Sequence, residues 1–345
     1  MLVEDSPTVR TLLCHIIDRD PRLQLAAVCV SAEEALDSIA RVAPDVISMD
    51  IRLPGMNGLE ATRRIMSENP TPIVVIADSV HDVTLGIAMN ALKAGALTVV
   101  EKPAGLGAGA YEKIAGMIST QLYIMSQVSV IRRRDTSIRN PVVRASTDLS
   151  SGATARPNVV GIAASTGGPP ALAAVLGALD RDFPVPILLV QHMGAPFMEG
   201  FASWLSTQTK LRVKIAEDRE IPRPGSVYVA PGDHHLELAQ GNSLKLTTEP
   251  PLASQRPAAT YLFQSLARVA GPKAIGVLLT GMGEDGARGL LQMKEAGAFT
   301  IAEDETTSVV YGMPAAAVRI GGVSVSLPQD LIAARLIRLT AEQSP

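Results

Sequence analysis

Short apolar runs alternate with stretches of helical period along nearly the whole chain. In the first third the runs are Leu2-Val3, Leu25 to Val28, Val46 to Met49, Ile73 to Ile76 and Thr98 to Val100. Between them apolar residues recur three and four positions apart, and one such stretch opens with Ser31 and Glu34, the spacing of a capping box. Strand-sized runs joined by helices are what a parallel sheet requires, because each crossover has to return to the same edge. Five strands and five helices in about 125 residues predict a flavodoxin-like domain. Only Met1, Leu2 and Val3 precede the acidic pair Glu4-Asp5, so the first strand is expected to be truncated, with the chain starting several residues late.

From 126 to 157 the periodicity lapses. Arg132, Arg133 and Arg134 lead into a stretch of Ser, Thr, Arg and Pro that reads as a linker. The three arginines fit a solvated helix end near a favourable dipole better than a docking patch. Alternation resumes at Val159 to Ala164, Ile187 to Val190, Ser226 to Val229, Ala274 to Leu279 and Phe299 to Ala302. Leu236 to Leu246 alternates more strictly around Gly241-Asn242, which predicts a hairpin. The expected organisation is α/β throughout: a flavodoxin-like domain over 1–125, a linker over 126–157, and over 158–345 a doubly wound, mainly parallel α/β hydrolytic domain with a β-hairpin excursion.

Composition narrows the class. Of 345 residues 47% are hydrophobic and 19% charged, ample for two cores, and the formal net charge of -3 argues against a nucleic-acid partner. Cys14 and Cys29 are the only cysteines and neither has a partner at metal-ligand spacing, so a disulfide framework is excluded and a reducing cytoplasm is expected. With no apolar run of membrane-spanning length, membrane insertion is not expected.

Candidate chemistry gathers at strand ends. Glu4-Asp5 follows the first strand, Asp50 closes the third and Lys102 follows the fifth. In an open parallel sheet these positions share the carboxyl edge, where ligands bind. Singly each is an ordinary strand-end cap. Together, three carboxylates repel unless a cation joins them, and an all-oxygen set suits Mg²⁺. An aspartate beside Mg²⁺ and a lysine can attack a phosphoryl donor, since the cations offset charge on the transferring group.

Ser165 follows the run Val159 to Ala164 and precedes Thr166-Gly167-Gly168-Pro169-Pro170 and a helix-like stretch. A serine on a tight strand-to-helix turn faces a helix N-terminus, where backbone N–H groups can stabilise an oxyanion. A phosphate-binding loop uses the same geometry, but the spacing matches neither the dinucleotide nor the P-loop pattern. His192, just past Ile187 to Val190, is the preferred base over His234 and His235. For the orienting carboxylate Asp285 is a candidate at a strand end, and spacing alone does not exclude Glu284 or Asp233.

Two resemblances now enter. Glu4-Asp5-Ser6, Met49-Asp50 with Leu53-Pro54-Gly55-Met56-Asn57-Gly58, and Lys102-Pro103 resemble response-regulator receiver domains over roughly residues 1 to 120. This implies Asp50 as phosphoacceptor, Glu4 and Asp5 with Asp50 as Mg²⁺ ligands, and Lys102 as the phosphoryl-sensing lysine. Ala77 stands where receivers carry Ser or Thr, followed by Asp78 and Ser79, and Val99 stands where an aromatic switch residue is expected, so coupling is expected to be weakened.

Gly161 to Pro169, Gln191-His192-Met193, Tyr228 to Gly232 with His235, Leu279 to Gly283 with Asp285-Gly286, and Gly312-Met313-Pro314 resemble the CheB family of chemotaxis methylesterases over about 158 to 342. The resemblance implies Ser165, His192 and Asp285 as triad, with Thr166 and Met282 near the oxyanion. It also implies a phosphorylation-regulated serine hydrolase that removes methyl esters from glutamyl side chains, and deamidates glutamines, on methyl-accepting chemotaxis receptors. A chemotaxis histidine kinase would phosphorylate it, relieving a block by the receiver domain, and the esterase chemistry needs no cofactor. Arg256-Pro257-Ala258-Ala259-Thr260 departs from the family's Arg-Pro-Ser-x-Asp, so Ala258 and Thr260 bear on specificity. The competing readings are a receptor-docking module without turnover and a largely constitutive esterase of another signalling pathway.

Overall fold

The computed structural model describes residues 1–77, 90–92, 94–103, 108–128 and 155–341. Asp78, Ser79, His81, Arg132 to Arg134 and most of the expected linker lie outside the described residues. The chain divides into two compact units, Met1–Val143 and Arg144–Pro345.

In the first unit, strands β1 (Leu2–Val3), β2 (Val28–Cys29), β3 (Ile47–Asp50), β4 (Ile73–Ala77) and β5 (Thr98–Glu101) form a parallel sheet in the order β2-β1-β3-β4-β5. β1 has two residues, yet Leu2 pairs with both Val28 and Ser48, so even this short strand is central. The helix Ala32–Val42 is capped by Ser31, whose hydroxyl accepts from Glu34 N–H at 3.2 Å, while Glu34 Oε2 accepts from Val30 N–H at 2.8 Å. β3 and β4 are buried at every position, and β4 is the continuous apolar run that a two-sided sheet requires. With all strands parallel, the carboxyl ends of β1, β3 and β5 share one edge, which brings the distant residues Glu4, Asp50 and Lys102 together.

The second unit contains β6 (Val159–Ala164), β7 (Ile187–Gln191), β8 (Arg212–Ile215), β9 (Ser226–Val229), β10 (His235–Leu238), β11 (Leu244–Thr247), β12 (Ala274–Leu278), β13 (Phe299–Glu303) and β14 (Val325–Leu327). Seven of these form a parallel sheet, β14-β13-β12-β6-β7-β9-β8, and β10 and β11 pair antiparallel as the expected hairpin. Its tip turns at Gly241 and Asn242, with φ of 83° and 59°, left-handed values that glycine and asparagine tolerate. The outermost strands β8 and β14 carry no strong apolar run, and the sequence pattern passes over them.

Leu236, Leu238 and Leu244 of the hairpin bury against Leu262, Phe263 and Leu266 of the helix Ala259–Val269. That helix also packs on the central strand. A Cβ on Gly161 of β6 would lie 2.3 Å from Leu266 Cδ1, so a larger residue there would force the Leu266 side chain to move. The chain runs outward from β6 through β7 in one direction and later places β12 on its other side. The carboxyl end of β6 is thus the topological switch point of the sheet, where such folds open a crevice.

Candidate functional site

Ser165 is the first residue past β6. Its N–H donates to Thr280 O at 3.0 Å, and its own carbonyl accepts from Gly168 N–H at 2.9 Å, closing the turn into the helix Gly168–Gly177. Gly167 caps that helix with φ 74°, and a Cβ there would lie 2.5 Å from Val309 Cβ. The facing turn is equally close: a Cβ on Gly281 would lie 2.8 Å from Ser165 Cβ and 2.4 Å from Met313 Sδ. The glycines of both motifs therefore allow two loops to meet around one serine.

β6 and β7 are adjacent, with Ala164 opposite Gln191, so His192 emerges beside Ser165 and its N–H donates to Ala164 O at 3.0 Å. Gln191 is buried, and its Nε2 donates to both Ser165 O and His192 O at 2.9 Å. The same side chain requires Gly168, where a Cβ would lie 2.2 Å from Gln191 Oε1.

His192 Nε2 lies 2.8 Å from Asp285 Oδ2. Asp285 is buried and well supplied with donors. Ala259 N–H reaches Oδ2 at 2.6 Å, while Oδ1 accepts from Thr260 N–H at 3.0 Å, Thr260 Oγ1 at 2.6 Å and Gly286 N–H at 2.8 Å. Burial acts to raise the Asp285 pKa, but the hydrogen bond and charge of His192, then Thr260 and Ala259, outweigh it and hold it below the ordinary carboxylate range. No hydrogen bond joins the Ser165 hydroxyl to His192 among the described residues. With Nε2 on Asp285, Nδ1 is the ring nitrogen left for a second partner.

The other candidates separate. Glu284 is exposed and pairs with Arg319, and Asp233 stands in the turn before β10 with φ 58°. His234 Nδ1 contacts Gly232 O within its own turn, and His235 is wholly buried on β10 with its ring nitrogens on Ala258, Glu249 and Pro250. Thr166 is buried, and its carbonyl accepts from Thr280 Oγ1 at 2.9 Å. Met282 follows Gly281 on the facing turn, 45% exposed.

Two contributors were not expected as parts of the site. Thr260, singled out in the sequence only as bearing on specificity, grips Asp285 through its amide and its hydroxyl. Glu303 closes β13, wholly buried, and its Oε2 accepts from Thr280 N–H at 2.8 Å, steadying the residue that holds both Ser165 and Thr166. Burial pushes the Glu303 pKa up to about 7.

In the first unit Lys102 Nζ lies 3.0 Å from Glu4 Oε2 and 2.9 Å from Asp50 Oδ2, and all three side chains are buried. One oxygen each from Glu4, Asp5 and Asp50 lies within 4.8 Å of the others. Burial raises the pKa of Glu4, with Asp50 adding to it, and burial raises that of Asp50 as well. Lys102 feels burial in the opposite sense, yet Asp50 and Glu4 outweigh it and raise its pKa. One ammonium against three carboxylates leaves negative charge uncompensated, and the donors are all hard oxygens, so the cluster fits a small divalent cation. A Cβ on Gly58 would lie 2.0 Å from Asp50 O, so the loop after β3 folds back over the acidic edge only with glycine there. Ala77, at the end of β4, brings no hydroxyl to this edge, and Val99 is buried within β5.

A doubly wound α/β unit of hydrolytic type behind a flavodoxin-like unit with an acidic edge is the class that these features define. The chain belongs to the CheB methylesterase family, whose model matches residues 160–336, and a response regulator receiver domain matches residues 1–108. It is 52% identical to protein-glutamate methylesterase/protein-glutamine glutaminase 2 of Paramagnetospirillum magneticum, over 97% of this chain and 96% of that protein. A protein of the same description, without the number, from Nitrosospira multiformis is 45% identical over 99% and 97%. The crystal structure of the Thermotoga maritima CheB methylesterase catalytic domain is 40% identical with a TM-score of 0.52, covering 54% of this chain and all of that one. Among the described residues no helix is long and apolar enough to cross a membrane.

Proposed function

We propose that the chain is a phosphorylation-regulated protein-glutamate methylesterase that also acts as a protein-glutamine glutaminase, with methyl-accepting chemotaxis receptors as substrates. Ser165 Oγ attacks the carbonyl carbon of a glutamyl γ-methyl ester, and His192 takes the hydroxyl proton on Nδ1. Asp285 holds the ring through Nε2 and stabilises the imidazolium that forms. Thr166 and Met282 flank the developing oxyanion at the helix N-terminus. As the C–O bond breaks, the proton passes to methanol; water then attacks the acyl-serine and restores Ser165 and a glutamate. With glutamine as substrate the same intermediate forms and ammonia leaves. The observation that carries this reading is the His192–Asp285 pair beside a serine at the switch point of the sheet.

In the receiver domain Asp50 takes a phosphoryl group from a chemotaxis histidine kinase. Glu4, Asp5 and Asp50 would hold Mg²⁺, which when bound supplies positive charge to the transferring group. Lys102, already between Glu4 and Asp50, is placed to pair with the new phosphate. A cytoplasmic location follows from these partners. Ala77 favours a second reading in part, an esterase whose rate responds little to phosphorylation because the switch is weak.

The deciding experiment measures methanol release from methylated receptor by the full chain, with and without a small-molecule phosphodonor. Release should be abolished by Ser165→Ala and increased by the donor. Undiminished release from the variant would end the catalytic assignment, and a rate indifferent to the donor would leave the esterase constitutive.

A further inference from the structure

His235 makes two contacts of opposite sense. Its Nδ1 lies 3.1 Å from the amide nitrogen of Ala258, which can only donate. Its Nε2 lies 3.2 Å from Glu249 O and 3.3 Å from Pro250 O, which can only accept. One protonation state satisfies both, the neutral ring with its hydrogen on Nε2. The imidazole has no solvent exposure and packs on the Tyr261 ring with centroids 4.0 Å apart. The residues next along the chain are those that grip Asp285, for Ala259 N–H and Thr260 N–H donate to its two oxygens. Three successive amides, 258, 259 and 260, are thus held by one imidazole and one carboxylate.

We propose that His235 is a positioning residue for hydrolysis, fixing Ala258 to Thr260 so that their donors orient Asp285 toward His192. The proposal rests on the reading of Ser165, His192 and Asp285 as a hydrolytic set. His235 touches no reacting atom. It acts through a bare Nδ1, whose loss would free Ala258 N–H and let the amides behind it rotate away from the carboxylate. Carboxylate orientation governs the tautomer and basicity of the imidazole it holds, so the effect falls on the chemical step and not on substrate binding.

The two halves of the contact can be separated. Asparagine at 235 keeps an acceptor near the Nδ1 position and gives up the reach to Glu249 and Pro250. Glutamine keeps a donor near the Nε2 position and gives up the acceptor for Ala258. In the full chain, His235→Gln should lower kcat for methanol release about tenfold with KM within twofold, and His235→Asn should stay within about threefold in kcat. Wild-type kcat in His235→Gln, or an equal loss in both variants, would overturn the proposal. If His235→Gln does not fold, as judged by circular dichroism, His235→Asn decides: retained kcat supports the proposal and a tenfold loss overturns it. Ser165→Ala, assayed alongside, separates the two levels. Activity in that variant would undo the underlying reading, whereas an inactive Ser165→Ala with an unaffected His235→Gln would undo the His235 proposal alone.

Discussion

Thr260 Oγ1 stands 2.6 Å from Asp285 Oδ1 and 2.8 Å from the amide nitrogen of Gly286, donating to the carboxylate and accepting from the amide. A hydrogen bond to a buried charge is worth about 1.5–3 kcal/mol, or roughly ten- to a hundredfold when it acts on the chemical step. Thr260→Val should therefore lower kcat for methanol release by at least about tenfold with little change in KM, while Thr260→Ser should retain most activity. Equal kcat in wild type and Thr260→Val would show the hydroxyl to be dispensable.

Gly281→Ala tests the approach of the two loops. The added methyl would sit 2.8 Å from Ser165 Cβ and 2.4 Å from Met313 Sδ, and Met313 is fully buried. Overpacking of this kind costs about 1–3 kcal/mol. Thermal unfolding should register that loss, and methanol release should fall further than the loss of folded protein accounts for. An unchanged melting temperature would contradict the packing described.

Glu303 gives the stability a pH dependence of known sign. Its pKa in the folded chain is about 7, against an ordinary value of 4.5, so between those limits the native state holds a proton that the unfolded chain has released. The favourable contribution is complete below pH 4.5 and is lost as pH rises through 7, a change of at most about 3 kcal/mol. Glu303→Gln should flatten the decline in melting temperature between pH 5 and pH 8. Parallel curves for the two proteins would refute this.

The acidic edge makes a parallel case for cations. Buried Glu4 and Asp50 share a single ammonium, so removing one carboxylate relieves repulsion, while adding a divalent cation compensates it. Asp50→Asn should raise the melting temperature in chelator and abolish the stabilisation that millimolar Mg²⁺ confers on the wild type. It should also abolish labelling by a phosphodonor. Retained labelling would move the phosphoacceptor elsewhere.

The apolar runs fell on ten of the fourteen strands, though the run Leu25 to Val28 meets β2 only at Val28, because buried strands such as β4 and β12 are apolar at nearly every position, and Leu236 to Leu246 announced the two of the hairpin. The edge strands β8 and β14 escaped, since half-exposed strands three or four residues long leave no distinct signature. Ser165, His192 and Asp50 were legible as polar residues ending apolar runs. Asp285 could not be separated from Glu284 by spacing, because neighbours in a turn differ only in where they point. Thr260 was hidden for another reason: its partner lies 25 residues away, and nothing local marks a threonine that donates to a distant carboxylate. Glu303 was passed over as the end of an ordinary strand, since its burial is a property of the assembled sheet.

Gln191 has a consequence for anyone who would re-engineer this scaffold. One amide nitrogen fastens the turn after β6 to the end of β7, and the glycine at 168 exists in the space that this side chain claims. The two loops are consequently a single transplantable part. A chimera that imports a relative's serine turn will work only if the Gln191-His192 dipeptide and Gly168 travel with it.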